Sequence, residues 1–326
     1  MSNLCRDDFD SGPKHVFSIE DGLWLGNLTA AIDLAFLRSN GINYIITVDS
    51  CPLPEIILDL RDINVKYIQV TDMDGEDLLS HFDSAYEFIK KGQEKSSVLV
   101  HCYYGISRSA SIITAYIMKK YKISFDDAFQ RVKIKNAAAL PNSGFQAQLS
   151  LYETLGWKID KNNMQFKLFR LKIAARKVKK VKILPQDCID VIKGDPSLIC
   201  ARPDPKVYRC RKCRRILALQ SNVLPHYTNE KLSWKDSKLS SDYSSSQLCS
   251  DTIFVEPMTW MSVSQSESGK INCPKCRSKL GSYSWTMGCQ CQCGAKVSPA
   301  FYLVPSKIDY MDFCKMFRLL FENLLS

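Results

Sequence analysis

Two residues that could do chemistry stand six positions apart in 98-VLVHCYYGISRSASII-113: Cys102 and Arg108, between an apolar run and a helix-forming run. That order suits binding and attack of a phosphate ester. A loop that ends on the first turn of a helix turns several backbone N–H groups into one hollow, and the helix dipole adds positive potential there. Tyr103, Tyr104, Gly105, Ile106 and Ser107 would build this phosphate cradle, with Gly105 allowing a sharp turn and close approach. Arg108 adds a planar, permanent cation that can grip two phosphate oxygens. A thiol at the floor of such a hollow is expected to be ionised at neutral pH, so Cys102 reads as a nucleophile that forms a phosphocysteine intermediate. Ser109 can donate a hydrogen bond to the sulfur and help it leave; His101 reads as a residue that orients the loop rather than as a base. The leaving oxygen needs a proton, and 70-VTDMDGEDLLSHF-82 offers Asp72, Asp74, Glu76 and Asp77. Asn142 in 141-PNSGF-145 reads as a residue that fixes neighbouring loops.

The elements that must carry these residues alternate. Residues 15–27 read as two short strands around a turn at Asp21-Gly22, 29–39 as a helix, and 44–48, 65–70 and 97–101 as strands. Helices are expected over 79–93, 107–121, 124–134 and 143–155, with Ser124 and Asp127 forming a capping pair. Strand–helix alternation implies an α/β sandwich with a mainly parallel sheet flanked by helices.

Beyond residue 157 the composition changes. Residues 158–182 hold ten Lys or Arg against one acid, Asp160, and so carry nearly all of the chain's net charge of +10. Met164, Leu168, Leu171, Ala175 and Val178 keep helical spacing there, so a basic amphipathic helix is expected within a linker over 158–205. Its face could pack on a neighbour or bind RNA or another polyanion together with Arg209, Arg211, Lys212, Arg214 and Arg215, and 176-RKVKK-180 could serve as a nuclear import signal. Residues 233–247 are Ser-rich and read as a loop.

Nine of the fourteen cysteines fall between Cys210 and Cys314. The first ten residues hold three aspartates and no apolar stretch, which predicts neither a secretory nor a transit peptide and hence a cytosolic or nuclear protein with reduced thiols. No apolar run approaches membrane-spanning length. Clustered thiols then point to zinc. Cys210, Cys213, His226, Cys249, Cys273, Cys276, Cys291 and Cys293 make eight ligands, enough for two closed structural Zn²⁺ sites in a small β-rich domain over 206–326. Grouping Cys273, Cys276, Cys291 and Cys293 on one ion and the other four on the second is the simplest pairing; an interleaved pairing is the alternative, with Cys289 as a spare donor.

The loop 101-HCYYGISRS-109 matches the HCxxGxSRS signature of the protein tyrosine phosphatases, and 23-LWLGN-27, 77-DLLSHF-82 and 141-PNSGFQAQL-149 resemble the dual-specificity subgroup. Combined with 208-YRCRKCRR-215, 254-FVEPMTWM-261, 273-CPKCRSKLGSYSW-285 and 291-CQCGAKVSPAF-301, the whole chain is similar to zinc-binding dual-specificity phosphatases of the dual-specificity phosphatase 12 type. The resemblance implies a phosphatase domain over 14–157 that acts on phosphotyrosine, phosphoserine and phosphothreonine of protein substrates, with no cofactor for catalysis. It points to Asp72 as the acid, five residues before Asp77. It also implies a cytoplasmic and nuclear protein linked to maturation of the large ribosomal subunit. Under that second reading the basic segment 161–182 and the zinc domain bind a pre-ribosomal particle or RNA, and catalysis is secondary. Tyr103-Tyr104 is bulkier than the family pattern.

Overall fold

A computed structural model describes residues 12–198, 205–228 and 248–312. The expected Ser-rich loop at 233–247, the first ten residues and residues 199–204 of the expected linker lie outside them. The chain divides into two units, residues 1–160 and 161–326.

The first unit is built on a five-stranded sheet. It runs β1 (Val16–Glu20), β2 (Leu23–Gly26), α1 (Leu28–Ile32), α2 (Leu34–Ser39), β3 (Ile42–Asp49), α3 (Glu55–Leu58), β4 (Asn64–Gln69), α4 (Phe82–Gln93), β5 (Ser97–His101), α5 (Arg108–Tyr121), α6 (Phe125–Lys135) and α7 (Ser143–Thr154). Strand order is β1-β2-β5-β3-β4; only the β1–β2 hairpin is antiparallel. β5 is central and apolar, as a strand covered on both faces must be. Leu99 and its cross-strand neighbour Ile45 pack against α1, α2 and α3 through Leu28, Ala31, Leu37 and Ile57. The alternate residue Val98 faces α4, so closely that a Cβ on Gly92 would lie 2.4 Å from its methyl.

The expected helix over 29–39 is two helices. Asp33 accepts a hydrogen bond from Phe36 N and starts a new helix in mid-run, a capping signal that overrides apolar periodicity. Asp77 likewise accepts from Ser80 N ahead of a short 3₁₀ turn, so α4 begins only at Phe82. The helices behind the sheet are tied at one carboxylate. Asp83 Oδ1 accepts from Lys119 Nζ and Tyr152 OH, both at 2.7 Å, and Oδ2 accepts from Ile159 N at 2.8 Å. Burial opposes its ionisation, but the bonds from Lys119, Ile159 and Tyr152 prevail and hold its carboxyl below the usual carboxylate value.

The second unit opens with α8 (Met164–Val181), N-capped by Asn163. β6 (Lys206–Cys210), β7 (Ile216–Leu219), β8 (Ile253–Phe254), β9 (Ser268–Asn272), β10 (Lys279–Ser284), β11 (Cys289–Gln290), β12 (Lys296–Val297), β13 (Ala300–Leu303) and β14 (Ile308–Asp312) follow. They form three antiparallel sheets, ordered β14-β6-β7, β8-β13-β10-β9 and β11-β12, around a core that includes Phe254, Trp285 and Phe301. The basic segment, read as part of a linker over 158–205, is instead built into this unit. Buried Lys167 on α8 donates from Nζ to Glu256 Oε2 and Ser221 O, each at 2.9 Å, and Leu184 N donates to Ser264 O at 2.9 Å. No helix among the described residues is long and apolar enough to cross a membrane.

Candidate active site and metal centres

β5 ends at His101, and the chain turns through Cys102–Ser107 into α5. His101 is buried, with Nε2 2.8 Å from Thr47 Oγ1 on β3, which anchors the entry to the loop. Gly105 makes the reversal at φ +74°, and a Cβ there would press within 2.8 Å of the Gly26 backbone. Only glycine satisfies both demands. Four of the loop carbonyls are engaged outward. Tyr103 O accepts from Leu28 N, Gly105 O from Asn136 Nδ2, Ile106 O from Leu140 N and Ser107 O from Ser111 N. Across a planar trans peptide the N–H opposes the carbonyl, so the N–H groups of Tyr104, Ile106, Ser107 and Arg108 turn the other way, into the hollow.

Cys102, 1% exposed, forms the floor of that hollow. Its sulfur accepts from Gly105 N at 3.2 Å and from Ser109 Oγ at 3.1 Å. In the second unit, burial pushes the Cys188 thiol up to about 11, with Asp187 adding to the shift. Arg108 is buried and held from behind, its Nη1 donating to Asp49 Oδ1 at 2.8 Å and to Val70 O at 3.3 Å. Its Nε is buried and makes no hydrogen bond among the described residues, a donor held ready for an anion.

Asp72 lines the same cleft. Its Oδ1 accepts from Ser107 Oγ and from Asn142 Nδ2, both at 2.7 Å, and its Oδ2 lies 4.0 Å from Arg108 Nε. Two donors thus occupy Oδ1 and leave Oδ2 for a further partner. Asn142 also caps α7 through Phe145 N, so one side chain positions a helix and the acid together. The other acids of this stretch have different tasks: Asp74 Oδ2 accepts from Ser143 Oγ at 2.6 Å, and buried Asp77 caps the turn before α4. Cys102, Ile106, Ser107, Arg108, Asp72, Asn142 and Tyr104 share one cleft of about 500 Å³; Tyr103 turns away into the core cluster around Leu28 and Leu99.

Two residues that position the site were missed. Asp49 ends β3 beside the nucleophile strand, and an acid at the carboxyl end of a buried parallel strand is the signal that could have found it. Gln148 is buried on α7, accepting from Leu78 N and Leu79 N and donating to Glu76 O, each at 2.8 Å, so it clamps the acid loop. A polar residue on the apolar stripe of Phe145, Leu149 and Tyr152 was its signal.

In the second unit the eight expected ligands form two groups whose donor atoms lie within 4.8 Å of one another: Cys210, Cys213, Cys273 and Cys276, and His226, Cys249, Cys291 and Cys293. The simplest pairing is thus corrected to the interleaved one. The β6–β7 and β9–β10 knuckles face each other, while the turn after β11 meets His226 and Cys249. Cys289 falls outside both groups. Sulfurs stand 3.5 Å apart for Cys213 and Cys273, 3.6 Å for Cys210 and Cys276 and 3.7 Å for Cys249 and Cys291. These gaps far exceed a disulfide bond. They approach the edge of about 3.8 Å that a tetrahedron with 2.3 Å metal–sulfur bonds requires. The donors present therefore fit two tetrahedral metal ions.

The dual specificity phosphatase catalytic-domain family matches residues 23–155. Dual specificity protein phosphatase MPK-4 of Drosophila melanogaster is 39% identical, aligning 94% of this chain with 90% of that protein. Dual specificity protein phosphatase 12 of Homo sapiens is 34% identical over 91% of this chain and 88% of its own length. Tyrosine-protein phosphatase YVH1 of Saccharomyces cerevisiae is 30% identical over 92% of this chain and 93% of its own. With a cysteine and an arginine converging on an anion-sized hollow and relatives matched across both units, the chain belongs to the dual-specificity protein phosphatases, cysteine-based enzymes that hydrolyse phosphate esters on proteins.

Proposed function

We propose that Cys102, Arg108, Asp72 and Ser109 divide the phosphatase reaction in two steps. In the first, Cys102 Sγ attacks phosphorus, the phosphorus–oxygen ester bond breaks, and the leaving oxygen takes the proton from Asp72 Oδ2. Arg108 Nε and the loop N–H groups hold the equatorial oxygens as charge redistributes. In the second, water attacks the phosphocysteine, Asp72 accepts the water proton, and the sulfur departs as a thiolate stabilised by Ser109 Oγ–H. The observation that carries this reading is the sulfur with two donors on the floor of a cleft that also holds a buried arginine N–H without a hydrogen bond.

Asp72→Asn is the test. Turnover should fall by roughly 10²–10⁴-fold, the range for a lost general acid. Inhibition by inorganic phosphate should persist, because the loop and Arg108 are untouched. Turnover equal to wild type would remove Asp72 from the mechanism.

The four-thiolate and three-thiolate–imidazole sets suit structural Zn²⁺, which prefers closed tetrahedral sites of these donors. A polyanion-binding role for the second unit, RNA included, draws support from a cleft of about 190 Å³ where Lys172, Arg176 and Lys179 of α8 line one space with Thr286 and Ser298. Reversing Lys172, Arg176 and Lys179 to glutamate should weaken RNA binding and flatten its salt dependence; an unchanged affinity and salt slope would end that role.

A further inference from the structure

In the catalytic loop Tyr103 and Tyr104 are adjacent aromatic residues with opposite fates. Tyr103 is partly buried against the core cluster, and its carbonyl is fixed by Leu28 N. Tyr104 remains 59% exposed, yet its ring is braced: it stands edge-on to the Tyr103 ring at 4.7 Å between centroids and 81° between planes. Leu140 is likewise 59% exposed, and its backbone is tied to the loop, since its N–H donates to Ile106 O at 2.9 Å. Both line the cleft above Cys102, together with Ile106 and Pro141. The polar lining already has partners: Arg108 and the loop amides serve the anion, Ser107 and Asn142 hold Asp72, Ser143 binds Asp74 and Gln146 binds the Pro141 carbonyl. The exposed apolar residues have none, and hydrophobic surface held rigid at the mouth of a polar hollow is the mark of a site that grips an apolar part of its ligand.

We propose that Tyr104 and Leu140 are specificity-determining residues that clasp the ring of an aryl phosphate, so that the site favours phosphotyrosine over phosphoserine and phosphothreonine. The proposal rests on the phosphatase reading above and deepens it. Two physical effects act in the same direction. An aryl ring laid against Tyr104 gains an aromatic contact worth a factor of about 2–13 beyond simple area burial, and a threonine methyl offers almost none of it. The ring also adds roughly 4 Å of reach between the peptide backbone and the ester oxygen. Side chains raised at the cleft mouth obstruct a substrate backbone that must come closer.

The experiment compares two peptides of one sequence carrying phosphotyrosine or phosphothreonine at a single position, assayed with the full-length wild type, Tyr104→Ala, Tyr104→Phe and Leu140→Ala. The readout is the ratio of kcat/KM for the two peptides. Phenoxide is intrinsically the better leaving group, and comparing the ratio between variants cancels that advantage. Tyr104→Ala should lower the ratio about tenfold, and Leu140→Ala about threefold, through a raised KM for the phosphotyrosine peptide. Tyr104→Phe, which keeps the ring, should stay within about twofold of wild type. Leu140→Ala alters an exposed side chain, so it answers the question even if Tyr104→Ala folds poorly. A ratio that stays constant in both alanine variants, with the two substrates declining together, overturns the proposal and leaves the phosphatase reading intact. Wild-type protein inactive on both peptides overturns both.

Discussion

Cys102→Ser should lose hydrolysis by roughly 10⁴–10⁶-fold, the scale on which removal of a covalent nucleophile acts, while the first unit stays folded and still binds phosphate. An alcohol is not ionised at neutral pH, so the serine oxygen would need a base to attack phosphorus. None is in place. His101 is buried, with Nε2 engaged by Thr47, and Asp72 must hold its proton for the leaving oxygen in this step. The anion cradle does not rest on the sulfur alone: four outward carbonyl bonds and the Asp49–Arg108 pair hold it, and a serine oxygen can accept from Gly105 N in the sulfur's place. Loss of the thiolate charge also removes a repulsion toward a phosphate dianion, so inorganic phosphate should bind at least as tightly as to wild type. Steady-state turnover, calorimetric titration with phosphate and a thermal melt check the three parts. Residual turnover near wild type would refute the nucleophile assignment.

Metal removal should produce the second large effect. Stripping both ions with a strong chelator under reducing conditions is expected to unfold the second unit and to leave the first folded and active within about twofold. A structural zinc ion in a small domain contributes on the order of 10–16 kcal/mol, as much as the whole stability of an ordinary domain. The second unit has little else to hold it there: β8, β11 and β12 are two residues each, too short to persist on strand pairing alone. Trp285, fully buried with Nε1 donating to Val263 O at 2.8 Å, reports the change as a red-shifted emission. Elemental analysis should return two zinc ions per chain before stripping. A stripped protein that keeps its tryptophan emission and a single unaltered melt would contradict the assignment.

The nucleophile loop was legible because phosphate chemistry constrains several residues at once: a thiol, a glycine where the chain reverses, and an arginine at the helix start. The alternation of apolar strands and helices likewise carried the fold class. Spacing alone does not single out Asp72: four acids in one stretch look alike, and only the fold brings Ser107 and Asn142 to one of them. Asp49 and Gln148 were not read because their roles are set by contacts 59 to 70 residues away. The same limit applies to Lys167. Helical spacing placed it on a basic helix, but its burial against Glu256, 89 residues on, is a tertiary event. Metal pairing failed for the same reason. Sequence spacing identifies which cysteines form a knuckle, whereas which knuckles share an ion depends on how hairpins meet.

The interleaved ligand sets also bear on how the protein is made. Had neighbouring knuckles shared an ion, the first coordination sphere would have closed once Cys249 left the ribosome. In this arrangement Cys210 and Cys213 wait for Cys273 and Cys276, and His226 and Cys249 wait for Cys291 and Cys293. A nascent chain therefore holds two half-built sites at once while its catalytic unit, already complete by residue 160, is free to fold. Metal capture becomes one of the last acts of biogenesis, and a chain truncated before Cys273 would keep its phosphatase unit yet close neither ring of donors.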